Sequence, residues 1–176
     1  PTSAQVAETA AAMADALAPG ALLIDMTSGQ PGRTRDIAAS LAARGVQMVD
    51  CPVSGGVPRA NTGELAIMAG GEDAALDRAE PVLRAMGTSV HRCGGIGAGQ
   101  AMKALNNLVS AGGFLIAVEA LLMGQRFGLD AGLMVDVLNA STGMNNSTQK
   151  KMRQFVLSRR FDAGFGLDLM VKDLSI

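Results

Sequence analysis

The sequence predicts an α/β half followed by an all-helical half, and three observations predict it. Short apolar runs with strand character alternate with helical patterns from Pro1 to about Cys93, which is the order expected of a doubly wound sheet. From Gln100 onward strand-like alternation is nearly absent. Between the two lies a glycine cluster, Gly94-Gly95-Ile96-Gly97-Ala98-Gly99. The expected division is residues 1–96 as part of a doubly wound α/β domain and residues 97–176 as part of an all-α domain that starts with a long helix.

Ser3-Ala4-Gln5-Val6 opens a helical run to Leu17, with Ser3 as its N-cap and Pro19-Gly20 as its stop. Ala21 to Met26 is nearly all apolar, as in a parallel strand covered on both faces. Thr27-Ser28-Gly29-Gln30-Pro31-Gly32 breaks it. A helix is expected from Arg33 to Arg44, ended by Gly45, then a strand from Val46 to Cys51 and an irregular stretch from Pro52 to Gly63. A strand from Leu65 to Ala69 stops at Gly70-Gly71. A helix from Asp73 to Met86, containing or divided by Pro81, and a strand from Ser89 to Arg92 complete this half.

The helix that begins near Gln100 can run to Phe127, or ~40 Å at ~1.5 Å per residue. Its stretch Leu105 to Met123 is apolar enough to raise a transmembrane alternative. Asn106, Asn107 and Glu119 lie inside it, and a charge at a bilayer centre costs roughly 2.5–3.5 kcal/mol, so the expectation is a buried core helix. Gly128 closes it. Helices from Ala131 to Leu138 and from Ser147 to Leu157 follow, the second capped by Asn146 or Ser147. Lys150, Lys151, Arg153, Arg159 and Arg160 cluster near its end and read as a solvated face.

Composition narrows the partners. Hydrophobic residues make up 48% of the 176 and charged residues 18%, with a net charge of -1, which argues a packed core and not disorder. Fifteen Lys+Arg balance sixteen Asp+Glu, with no Trp, no Tyr and five Phe. A nucleic-acid partner calls for a basic excess and stacking aromatics, so none is expected. Cys51 and Cys93 suggest no disulfide framework and are read as reduced, in a cytoplasmic protein. His91 lies near Cys93 without further ligands to complete a zinc site, so no metal is expected.

Three segments carry residues suited to chemistry. Gly95-Ile96-Gly97-Ala98-Gly99-Gln100 has the place of a phosphate-binding turn but not its spacing, because the third glycine would fall at Gln100 or Met102. It also reads as a close-packing turn that starts a helix. Lys103 and Asn107, four apart, share one face of an apolar helix. There a lysine protonates a carbonyl oxygen and an asparagine holds a substrate, or else the lysine snorkels to solvent. Asp50-Cys51-Pro52-Val53-Ser54-Gly55-Gly56 follows a strand, and its serine hydroxyl and open glycine N–H groups suit a carboxylate, although Ser-Gly-Gly is also ordinary loop composition.

Taken in order, these pieces resemble the β-hydroxyacid dehydrogenase family, which includes 3-hydroxyisobutyrate dehydrogenase and tartronate semialdehyde reductase. Asp25-Met26-Thr27-Ser28-Gly29-Gln30-Pro31 is similar to the family's Asp-x-Ser-Thr-x-x-Pro segment with the two hydroxyl residues exchanged. Asp50 to Gly56 resembles its substrate loop, and Gly63-Glu64-Leu65 through Gly70-Gly71 the strand after it. Gly97 to Asn107 resembles the catalytic motif, and Phe165 to Leu174 the segment whose lysine reaches the cofactor. The family's amino-terminal Gly-x-Gly-x-x-Gly turn and its last helices are absent, so the resemblance implies an internal fragment. A histidine of the related decarboxylating 6-phosphogluconate dehydrogenases is replaced by Asn106, which disfavours a phosphosugar decarboxylase.

The resemblance implies a Rossmann-like fold and hydride transfer between NAD or NADP and a 3-hydroxy acid or its semialdehyde. It implies Lys103 as the catalytic lysine, and Ser54, Gly55, Gly56 and Asn107 as substrate-binding residues. Ser28 and Lys172 are implied as cofactor contacts. The expected partners are the small hydroxy acid and a second copy of the chain, through the helical half, with no membrane. A different class of reading is a non-catalytic helical assembly module with a vestigial α/β lobe, which leaves Lys103 and Ser54 without a purpose.

Overall fold

The computed structural model describes residues 1–176, which form two compact units. The first comprises Pro1–Leu105 and Lys172–Ile176, the second Asn106–Val171. The compact units thus divide nine residues beyond the expected boundary at Ile96, because the first two turns of the long helix are bonded into the α/β unit.

In the first unit the order is α1 (Ser3–Met13), β1 (Leu22–Asp25), α2 (Pro31–Ala42), β2 (Gln47–Asp50), β3 (Val53–Ser54), α3 (Gly56–Thr62), β4 (Ala66–Gly70), α4 (Asp73–Met86) and β5 (Ser89–Gly94). The first turns of α5 (Ala98–Phe127) and the end of α7 (Leu167–Leu174) belong to it as well. α1 is capped by Thr2, not Ser3: the Thr2 hydroxyl accepts from the Gln5 N–H while the Gln5 side chain returns a bond to the Thr2 N–H. The Ser3 hydroxyl accepts instead from the Gln30 N–H at 2.8 Å. α2 starts two residues earlier than expected, with Pro31 in the first turn where its missing N–H costs nothing. α4 continues through Pro81.

β1 and β2 are parallel, with Asp25 opposite Asp50. The stretch expected to be irregular holds β3 and α3. β2 and β3 follow one strand path: Asp50, Val53 and Ser54 pair with Gly70, Ile67 and Ala66 of β4 in a single antiparallel register. Pro52, with no N–H to give, interrupts the ladder, and its carbonyl still accepts from the Met68 N–H at 3.0 Å. β5 runs parallel to β4, so the sheet is mixed.

Alternation along β2 assigns the two layers. Val49 and Cys51 join Ile67, Leu76, Ala79 and Leu83 in the core beneath α4, whereas Val46 and Met48 join Ala10, Ile37 and Leu41 beneath α1 and α2.

The second unit is built on the rest of α5, α6 (Ala131–Asn139) and a π-helix (Thr148–Leu157). Ala117, Leu121, Val135 and Met152 form its small core. Asp130 caps α6. The cap expected from Asn146 or Ser147 is supplied by Asn145, whose Oδ1 accepts from the Ser147 and Thr148 N–H groups and whose Nδ2 donates to the Gly113 carbonyl. The expected burial of α5 is not found: only 22% of its most apolar window is buried, and Val109, Ile116, Met123 and Phe127 are exposed. By length and composition alone α5 passes as a membrane span. Its neighbours in this unit are two short helices, too few to wrap a helix of 30 residues.

Candidate active site

The apolar strands β1 and β2 both end on a buried acid, Asp25 and Asp50, 6% and 0% exposed. Gln100, fully buried in the first turn of α5, joins them. Its backbone N–H donates to Asp50 Oδ2 at 2.7 Å, and its Nε2 donates to the Thr27 carbonyl and, at 3.4 Å, to Asp25 Oδ2. Its Oε1 accepts from the Gly29 N–H at 2.8 Å. Asp50 Oδ1 accepts from the Gly97 N–H at 2.6 Å. Burial pushes the Asp50 carboxyl up to about 6; the Gly97 and Gln100 N–H groups pull it down, and Asp25 adds a further upward push. The same burial, with the charges of Asp50 and Asp25, pushes the Cys51 thiol up to about 12, which leaves it inert.

The close-packing reading of the glycine turn is the one realised. A Cβ on Gly99 would lie 2.3 Å from the Met68 carbonyl oxygen and 2.6 Å from that of Asp50, and one on Gly70 would lie 2.7 Å from the Gly99 nitrogen. Only paired glycines let the helix start against the strand ends.

Lys103 follows one turn after Gln100 and is 8% exposed, so it does not snorkel to solvent. Burial lowers its pKa, buried Asp173 opposes that effect, and Lys172 adds to it. Asn107, also buried, stands one turn further along the same helix. Its amide oxygen accepts from Asn106 Nδ2 at 3.0 Å.

Lys172 and Ser28 are brought together: Lys172 Nζ donates to the Ser28 carbonyl at 3.1 Å and pairs with Asp173 at 2.9 Å. With Thr2, Ser3, Arg33 and Ser175 they line a cavity of about 290 Å³. The neighbouring Thr27 hydroxyl is buried without a hydrogen-bond partner. Ser54, Gly55 and Gly56 stand at the junction of β3 and α3, with Ser54 half-buried. Gly55 adopts φ 137°, a conformation that glycine alone takes readily. A buried ammonium near an acid suits proton exchange with a carbonyl or hydroxyl oxygen.

Asp25, Asp50, Gln100 and Asp173 were not singled out as site residues from the sequence. An acid closing an otherwise apolar strand is the signal that marks the first two.

Residues 1–95 match the family described as the NAD binding domain of 6-phosphogluconate dehydrogenase. Residues 97–176 match that described as NAD-binding of NADP-dependent 3-hydroxyisobutyrate dehydrogenase. The chain is 36% identical over 157 residues to 2-(hydroxymethyl)glutarate dehydrogenase of Eubacterium barkeri, covering 89% of this chain and 52% of that protein. It is 36% identical over 163 residues to mitochondrial 3-hydroxyisobutyrate dehydrogenase of Mus musculus, covering 89% and 49%. The solved structure of Mycobacterium tuberculosis 3-hydroxyisobutyrate dehydrogenase with L-serine superposes with a TM-score of 0.91 at 34% identity, over 99% of this chain and 62% of that one. The chain spans about half the length of the curated relatives it matches. Two consecutive family matches, relatives 36% identical over 89% of the chain and a shared fold show that the chain belongs to the β-hydroxyacid dehydrogenase family.

Proposed function

We propose that the whole protein is an NAD- or NADP-dependent dehydrogenase of a 3-hydroxy acid, or reductase of its semialdehyde, with Lys103 as its proton donor and acceptor. The observation that carries this reading is Lys103 itself, an ammonium 8% exposed on an apolar helix with a buried aspartate acting on it. Such a placement costs stability and is explained by chemistry. The bound nicotinamide supplies or accepts the hydride. Ser28 and Lys172, which line the cavity of about 290 Å³, hold the dinucleotide.

In the reducing direction Lys103 Nζ gives a proton to the carbonyl oxygen as the carbonyl carbon gains hydride, leaving a hydroxyl and a neutral amine. In the oxidising direction the neutral amine takes the hydroxyl proton. The burial that lowers the Lys103 pKa enlarges the neutral fraction and supports the second direction, while Asp173 holds the charged form available for the first. Ser54 and the N–H groups of Gly55 and Gly56 bind the substrate carboxylate, and Asn107 orients the substrate.

The protein pairs with a second copy through α5, where Leu108, Val109, Leu115, Ile116, Leu122 and Met123 recur at heptad spacing and are exposed. We place it in the cytoplasm, a reading supported by two free cysteines. Turnover of the full-length protein with a panel of 3-hydroxy acids and semialdehydes, each with NAD and NADP, tests the activity. Turnover with none of them favours the assembly-module reading.

A further inference from the structure

We propose that Asp50 is a positioning residue of this reaction: its carboxylate fastens the first turn of α5 to the ends of β2 and β4 and thereby fixes where Lys103 stands. The proposal rests on the reading of Lys103 as proton donor. Both Asp50 oxygens are committed to the start of α5, Oδ1 to the N–H of Gly97, just ahead of its first residue, at 2.6 Å and Oδ2 to the Gln100 N–H at 2.7 Å. A helix start leaves such N–H groups without partners, and a carboxylate there also meets the positive end of the helix dipole. Gly70 and Gly99 leave no room for a Cβ between strand ends and helix, so the seat is narrow as well as bonded. Lys103 lies three residues beyond Gln100, one turn and roughly 4.5 Å along the axis.

A serine, threonine or asparagine brings one acceptor oxygen to a helix start, whereas the Gly97 and Gln100 N–H groups are each met by a separate oxygen of one carboxylate. Here a fully buried acid is set opposite Asp25, with the thiols of Cys51 and Cys93 the other titratable groups that feel it. α5 faces it with N–H groups and β4 with the Gly70 backbone. The Gln100 side chain ties the same turn to the end of β1, and the fold carries its costly group where β2 meets that turn.

The test compares Asp50→Asn, Lys103→Met and wild type in the full-length protein, reading kcat, KM, cofactor Kd and backbone amide exchange. Asp50→Asn is expected to lower kcat at least about tenfold, with KM and cofactor Kd within about twofold, because a displaced proton donor slows chemistry more than binding. Exchange at Gly97 and Gln100 rises about tenfold while the central strand amides keep their protection. In wild type, kcat and the Gly97 and Gln100 amide shifts are expected to move together with a midpoint near pH 6, and Asp50→Asn abolishes both steps. A kcat within twofold of wild type, unchanged exchange at the two amides, or loss of protection across the whole sheet overturns the proposal. Should Asp50→Asn not fold, the wild-type titration decides, and amide shifts without a matching step in kcat overturn it. Full activity in Lys103→Met overturns the proton-donor reading and this one with it. An inactive Lys103→Met beside an active Asp50→Asn overturns this one alone.

Discussion

Asp25 and Asp50 stand opposite each other in the β1–β2 ladder, both buried, and both are bonded by Gln100, one through its backbone N–H and the other through its side-chain amide. Burial disfavours the charged form of Asp50, and the neighbouring Asp25 adds a smaller push in the same direction.

Burial pushes the Asp50 carboxyl up to about 6 in the folded chain from an ordinary 3.8. A raised acid pKa means that the folded state holds the proton more tightly, so stability from this group is present at low pH and is lost as pH rises from about 4 to about 6. Thermal unfolding of wild type and Asp50→Asn should show wild type losing about 3 kcal/mol relative to the variant over that window. Parallel curves for the two proteins would refute the shift.

Lys103→Met in the full-length protein keeps the apolar stem and should lower kcat by roughly 10²–10⁴-fold, the usual contribution of a general acid. Cofactor affinity should barely change. Asn107→Leu should also slow turnover, and the double variant should add little, because residues acting together are not additive. Steady-state kinetics with both cofactors checks all three.

Two glycines of α5 should respond oppositely to alanine. At Gly99 the new Cβ meets backbone carbonyl oxygens that cannot swing away, and unfolding measurements should show a loss of about 1–3 kcal/mol. At Gly112 nothing lies within 4 Å, and alanine should stabilise by about 0.5–1 kcal/mol through helix propensity. A stabilising Gly99→Ala would show that the helix start is not seated as described.

Val109 and Ile116 are 75% and 66% exposed on the apolar stripe of α5. Light scattering should find the chain self-associated at high concentration, and Val109→Asp with Ile116→Asp should return it to monomers. A wild-type monomer would remove the case for pairing through this helix.

The element order and the long helix were legible because hydrophobic period and glycine punctuation are local signals. The strand path across Pro52 was not, since a proline in a strand reads as a break and only the partner β4 reveals the common register. Thr2 took the cap because Gln5 lies three residues on and completes the reciprocal pair, whereas Ser3 was drawn to Gln30, far away in sequence. The exposure of α5 was hidden for another reason: an apolar stripe looks the same whether its own chain or a second one covers it. Lys103 and Asn107 could be picked out because polar residues stand out on an apolar helix. The buried acids did not stand out, since each looks like a strand terminus until Gln100 is placed between them.

The shared strand path of β2 and β3 has a consequence for insertions and deletions around Pro52. Asp50 and Ser54 lie four residues apart on it, both in register with β4, which sets them about 13 Å apart and on one face of the sheet. The seat of α5 and the Ser54 side chain are therefore graduations on one rigid ruler. Deleting a single residue between them would both shorten that ruler and turn Ser54 to the opposite face.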